Sequence, residues 1–258
     1  PDDGGRAVTD YVVEYSSNAG SAWSVFADGT STAVSATVTG LTTGATYLVR
    51  VSAVNAVGTG TAGVSSSVLL ATAPDAPTGL AVSSFTGTSV SLSWTAPAAN
   101  GGAAVSDYMV QFRLVGAGSW STFADGVSTA VSATVTGLTR GSGYEFQVGA
   151  VNSKGTTFTA ATVAATPSTV PGVPGSVAAV VASRTSLSVS WSAPDDGGQA
   201  ITDYVIEYSS NDGSSWSTFA DGTSTATSAI ITGLTAGSTY LVRVSARSEE
   251  HTSELQSR

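Results

Sequence analysis

The chain has 258 residues, a formal net charge of −9 and only 10% charged residues, with no Cys at all. Neutralising phosphates takes clustered Lys and Arg, and here the nine basic residues are scattered singly, which argues against nucleic acid as a partner. The missing Cys removes disulfides, thiol nucleophiles and Cys-type metal sites together, and no stretch approaches the ~18 to 20 apolar residues of a bilayer-spanning helix, so no membrane insertion is expected.

Apolar residues make up 41% of the chain, mostly Val and Ala in short runs broken by Gly, Ser and Thr, a pattern of all-β proteins. From the amino end, Tyr11, Val13 and Tyr15 share one strand face while Val12 and Glu14 take the other, and Tyr47, Val49, Val51 and Ala53 alternate in the same way with Leu48, Arg50 and Ser52. Asp28-Gly29 lies between these strands as a turn signal. Residues 75 to 170 then add "TSVSLSW", which sets Val90, Leu92 and Trp94 inward, and repeat the earlier pattern with the turn Asp125-Gly126. Residues 194 to 246 match residues 1 to 53 at 42 of 53 positions without a gap, with the turn at Asp221-Gly222. The offsets between equivalent residues are 97 and 96, so the repeating unit is a whole domain rather than a solenoid turn. Many short strands at this spacing predict β-sandwiches.

These residues carry a specific resemblance. The strand tryptophans Trp94 and Trp191, the "DYxVxY"-like strand at Asp203 to Tyr208, and "GLTxGxxYxVRVSAVNxxG" at Gly40 to Gly58 together resemble the fibronectin type III repeat over residues 1 to 246. The resemblance implies tandem seven-stranded immunoglobulin-like sandwiches, the first and third truncated. It makes Tyr47, Tyr144 and Tyr240, each six residues after Leu41, Leu138 or Leu234, the tyrosine-corner positions. Mapping the family's strands gives residues 1–74 lacking the first two strands, residues 75–170 complete, and residues 171–246 lacking the last strand. Pro-bearing junctions at 72–79 and 166–175 read as semi-rigid spacers. Pro1 has no initiator Met or signal segment before it, which reads as an internal piece of a longer polypeptide.

The last residues differ from everything before them. Residues 247 to 257, "RSEEHTSELQS", resemble codon for codon the translation of a sequencing-library adapter, so 247–258 is expected to be a non-native tail. Its His251, Glu249, Glu250 and Glu254 are accordingly not read as a metal site.

Candidate chemistry is sparse. Asp2-Asp3 and Asp195-Asp196, each followed by Gly-Gly, read as turns rather than calcium loops, because no spaced acidic series accompanies them. Ser and Thr are abundant, but a nucleophilic hydroxyl needs a base within reach and no His or Cys precedes residue 247. Glu14, Gln111 and Glu207 read as solvated strand residues. Trp23, Trp120 and Trp216, with Phe26, Phe123 and Phe219 three residues later, could stack on sugar rings; packing onto the sandwich is the reading favoured by their recurrence in every copy. Phe85 and Phe158 occur only in the middle copy and, with Trp120, are the candidate glycan contacts. No catalytic residue, cofactor or metal is expected. What the resemblance implies is a spacer or interaction segment of a secreted or cell-surface multidomain protein of bacterial type, with other domains of the same polypeptide as its partners; the alternatives are a weak glycan-binding accessory module of a polysaccharide-degrading enzyme, with polysaccharide as partner, and an adhesin-type array that binds a cell-surface protein.

Overall fold

The computed structural model describes residues 3–248, and every regular element in them is a β-strand. In the first copy Val8–Ser16 forms β1, Ser24–Phe26 β2 and Thr46–Asn55 β3, while the short strands Gly58–Thr59 (β4), Gly63–Val64 (β5) and Val68–Leu69 (β6) pair with β3. Together they make one antiparallel sheet in the order β2-β1-β3-β4. Val13 faces Val51 across β1 and β3, yet Val51 remains 40% exposed, because among the described residues no second sheet covers it.

The second copy has both sheets. Its strands are Thr78–Phe85 (β7), Ser89–Thr95 (β8), Asp107–Leu114 (β9), Ser121–Thr122 (β10), Ser132–Thr136 (β11), Tyr144–Asn152 (β12), Gly155–Phe158 (β13) and Val163–Ala165 (β14). One sheet runs β11-β8-β7 and the other β10-β9-β12-β13, with β14 also on β12. Period-two alternation drives Val90, Leu92 and Trp94 of β8 onto Tyr108 and Val110 of β9 and onto Phe146, Val148 and Ala150 of β12, all of them buried. Trp94 meets Tyr108 edge-on at 5.4 Å between ring centroids, but its indole Nε1 is buried with no acceptor in range, an uncompensated cost of about 1–3 kcal/mol.

The third copy contains Gly175–Ser183 (β15), Ser186–Ser192 (β16), Ile201–Ser209 (β17), Ser217–Thr218 (β18), Ser228–Ile231 (β19) and Leu241–Ser248 (β20). Its sheets are β15-β16-β19 and β18-β17-β20. Among the described residues nothing pairs with the outer edge of β20, where β12 has β13 and β14. β15 is exposed along its whole length, with Val180 at 63% and Val181 at 78%.

One local comparison shows what decides strand formation. The pentapeptide Ser-Ala-Thr-Val-Thr is β11 at 132–136, and the same five residues at 35–39 form no strand. In the second copy it pairs with β8; the described part of the first copy holds no counterpart of β8. Partner availability outweighs propensity here.

The sequence of the third copy was expected to stop matching at Ala246; β20 itself runs on through Arg247, opposite Asp203, and, past a shift of register, to Ser248, opposite Ile201. The expectations for 249–258 lie outside the described residues.

Candidate functional site

In each copy the sheet built on β1 and β3, β9 and β12, or β17 and β20 carries a stacked Arg, Trp and Glu on its outer face. In the first copy β1 and β3 put Glu14 opposite Arg50, so the guanidinium makes a two-pronged pair, Nε to Oε2 at 2.7 Å and Nη2 to Oε1 at 2.8 Å. The same guanidinium lies 4.3 Å above the Trp23 ring. The third copy repeats this with Arg243, Glu207 and Trp216. In the second copy those two strand positions hold Gln111 and Gln147, which bond to each other at 2.7 Å, and the cation arrives from elsewhere: Arg113 pairs with Glu145 at 2.7 Å and covers Trp120 at 4.3 Å. The cation–π arrangement is thus retained while the residues supplying it change place. The Arg50 hydrogen bond holds the Glu14 carboxyl below the usual carboxylate range, and Glu14 raises Arg50 in turn.

Glu14 and Glu207 therefore differ from the solvated residues that alternation alone suggested. The Trp–Phe pairs divide as their odd spacing requires: Phe123 and Phe219 pack against the buried clusters, and the tryptophans lie outside under arginine.

A second recurrent device sits at the turn before β3, β12 and β20. The Tyr47, Tyr144 and Tyr240 hydroxyls accept the amides of Thr42, Thr139 and Thr235 at 3.0, 3.1 and 2.9 Å. The Thr235 amide pulls the Tyr240 phenol below its usual value, while burial pushes Tyr108 up. Leu138 and Leu234 are buried beside these corners and Leu41 is half-buried. Trp191 repeats the Trp94 contact, 5.2 Å from Tyr204.

The residues that sequence reading missed are the Asp of each "DY" pair. Asp10, Asp107 and Asp203 accept the amides of Ser31, Ser128 and Ser224, twenty-one residues on, and pin the long loop. Their signal was recurrence at one offset in all three copies.

The candidate glycan contacts fall on three different elements. Trp120 precedes the edge strand β10, Phe158 lies on β13 across Gly149 at the other edge of the same sheet, and Phe85 ends β7 on the opposite sheet against the core. A Cβ added at Gly149 would come within 2.9 Å of Phe158, so that ring occupies the space glycine leaves. The three do not form a shared platform. Among the described residues no group of three His, Cys, Asp or Glu is placed to hold a metal ion. A concavity of about 570 Å³ is the inner face of the first copy between Tyr11, Val13, Val49, Val51 and the segment 31–38. Tyr204, Ile206, Val242 and Val244 occupy the equivalent face of the third copy, packed under Val189 and Trp191.

Antiparallel sandwich topology, tyrosine corners and disulfide-free cores repeated along one chain define a tandem array of immunoglobulin-like β modules. The model of the Fibronectin type III domain matches residues 1–68, 75–166 and 172–257, and the chain belongs to that family. It is 32% identical to myomesin-2 of Homo sapiens over 227 residues, which cover 81% of this chain and 15% of myomesin-2. It is 29% identical to the striated-muscle M-protein of Gallus gallus, with the same coverage, and 30% identical to a titin homolog of Caenorhabditis elegans over 98% of this chain and 1% of that protein. The chain thus spans a small part of each relative. A crystal structure of the chicken CNTN1 FN1-FN3 domains aligns at 20% identity with a TM-score of 0.35, covering 95% of this chain and 85% of that one.

Proposed function

We propose that the chain is a non-catalytic spacer and interaction segment of a larger secreted or cell-surface protein, holding neighbouring domains of the same polypeptide at a set distance. The observation that carries this reading is the placement of the joints in the middle copy. Residues 101–102 meet the first copy, and residues 140–141 meet the third. These two loops lie at opposite ends of β12: Asn152 at its far end bonds Asn100, and Gly141 precedes its start at Tyr144. Nine residues of strand separate them, roughly 30 Å at ~3.3 Å per residue. Successive modules add length along one direction, which sets the effective concentration of whatever the array carries.

The bacterial part of the reading is supported by composition, a Ser-, Thr-, Ala- and Gly-rich, acidic chain with near-identical units; the similar curated proteins above are animal muscle proteins. The reading of 247–258 as a foreign tail is supported by Ser248. It stands where Asn55 and Asn152 stand in the other copies, and its Oγ is buried without a partner, whereas the Asn152 amide bonds three carbonyls. Resequencing the locus from source DNA tests this, and recovery of the same codons would overturn it.

The spacer role is tested by placing donor and acceptor fluorophores on Val57→Cys, beside Asn55 at the outer end of the first module, and on Ser238→Cys, in the turn before β20 at the outer end of the third. Three modules of roughly 35 Å give a separation of about 100 Å, so energy transfer near zero is expected. Transfer of the size given by a flexible Gly/Ser linker of equal residue number would refute it.

A further inference from the structure

The two joints share the same backbone arrangement. Across the first, the Thr72 amide donates to Gly101 O at 2.8 Å, and across the second Thr169 donates to Gly197 O at 2.9 Å; beside each, within the following module, Asp75 donates to Ala99 O at 2.9 Å and Gly172 to Asp195 O at 2.8 Å. In both, the glycine doublet of one module is pressed against a glycine of the module before. A Cβ added at Gly102 would lie 2.4 Å from Gly44 N and 2.8 Å from Gly44 Cα; one at Gly198 would lie 2.6 Å from Arg140 Cγ and 2.8 Å from Gly141 N. The preceding glycine is as tightly placed, with an added Cβ at Gly101 2.4 Å from Thr72 O and at Gly197 2.2 Å from Thr169 O.

The turn alone does not demand this. Asp3, Asn100 and Asp196 each accept the amide two residues on, an Asx turn, and its left-handed positions, φ 69° and 83° in the second copy and 73° and 89° in the third, are ones Asn or Asp also enter at modest cost. Contact with the preceding module removes that latitude. We infer that the Gly-Gly doublet is a docking element that seats on the Thr-x-Gly turn of the preceding module, residues 42–44 or 139–141, and locks the angle between modules. Its partner is therefore another copy of this repeat, and the array is a stiff rod rather than beads on a string. Asn152 reinforces the first joint by donating to Thr72 O at 2.8 Å, and Arg140 reinforces the second by pairing with Asp195 at 2.7 Å, a pair exposed enough to contribute little. This deepens the spacer reading and rests on it for its purpose, but the two fail separately: the fluorophore test fails on reach, this one on the width of the angle.

The chain itself supplies a control. Gly4 and Gly5 have the same left-handed backbone, φ 62° and 79°, and an added Cβ at Gly5 meets nothing within 4 Å. The absence of Cys allows spin labels on Ser21→Cys with Ser119→Cys across the first joint, and on Ser119→Cys with Ser214→Cys across the second. Pulsed dipolar spectroscopy of the full chain is expected to give one narrow distance peak across each joint. Gly102→Ala broadens the first distribution at least twofold and leaves the second, Gly198→Ala does the reverse, and Gly5→Ala changes neither. Thr72→Pro and Thr169→Pro remove the donating amide from outside both sandwiches and are expected to broaden the same joints, which keeps the test open where an alanine unfolds its module. Broad distributions in the parent chain, or alanine and proline variants as narrow as Gly5→Ala, would overturn the inference.

Discussion

Replacing the valine at one structural position in two copies separates a closed core from an open one. Val51 and Val148 are equivalent positions, on β3 and β12, and both face the interior of their module. Val148 is 0% exposed and Val51 40%. Val148→Ala removes two methyl groups at about 0.8 kcal/mol each and leaves a cavity in a packed site, for about 2–3 kcal/mol in all. At Val51 about three fifths of the transfer term applies and no closed cavity forms, which leaves about 1 kcal/mol. Native-state hydrogen exchange reads both in the same chain. With a factor of ten per 1.4 kcal/mol, β12 amides are expected to exchange roughly 30- to 140-fold faster in Val148→Ala, and β3 amides about fivefold faster in Val51→Ala. Equal factors for the two would mean that the first copy has a covered core, and would refute the single-sheet description.

Other outcomes follow from the same geometry. Tyr144→Phe removes the acceptor of the Thr139 amide and is expected to cost about 1 kcal/mol, a fall of roughly 4–8 °C in the melting temperature of the second module; an unchanged melt would show the corner to be ornamental. The Glu14 carboxyl titrates lower folded than unfolded because Arg50 bonds its charged form, so its contribution is complete above the ordinary carboxylate value of about 4.3 and disappears as pH falls through the folded-state value. Thermal unfolding followed from pH 6 downward should therefore lose less in Glu14→Gln than in the parent chain, and identical pH slopes would count against the pair. In limited proteolysis residues 75–170 should persist while the first copy is cut early, and equal resistance would contradict this. Passage of the chain over insoluble chitin and cellulose should give no retention; binding lost on Trp120→Ala would restore the glycan reading.

Strand faces were legible in the sequence because period-two alternation depends on the chain alone, as at Tyr108 and Val110 or Val90 and Leu92. Whether a strand forms was less so, since the identical residues 35–39 and 132–136 differ only in having a partner. The cation over each tryptophan was hidden for another reason. Arg113 and Arg50 occupy non-equivalent strand positions, so comparison of the copies could not reveal that both end above the same ring. The glycine doublets were visible as turns, but a turn and a joint use the same two residues, and only the neighbouring module's backbone distinguishes them.

Small-angle X-ray scattering of the intact chain tests the central claim most directly. A stiff end-to-end array about 100 Å long is expected to show a radius of gyration of roughly 30 Å. A value near 18 Å, that of a compact globule of this length, or near 56 Å, that of an unfolded chain, would contradict it.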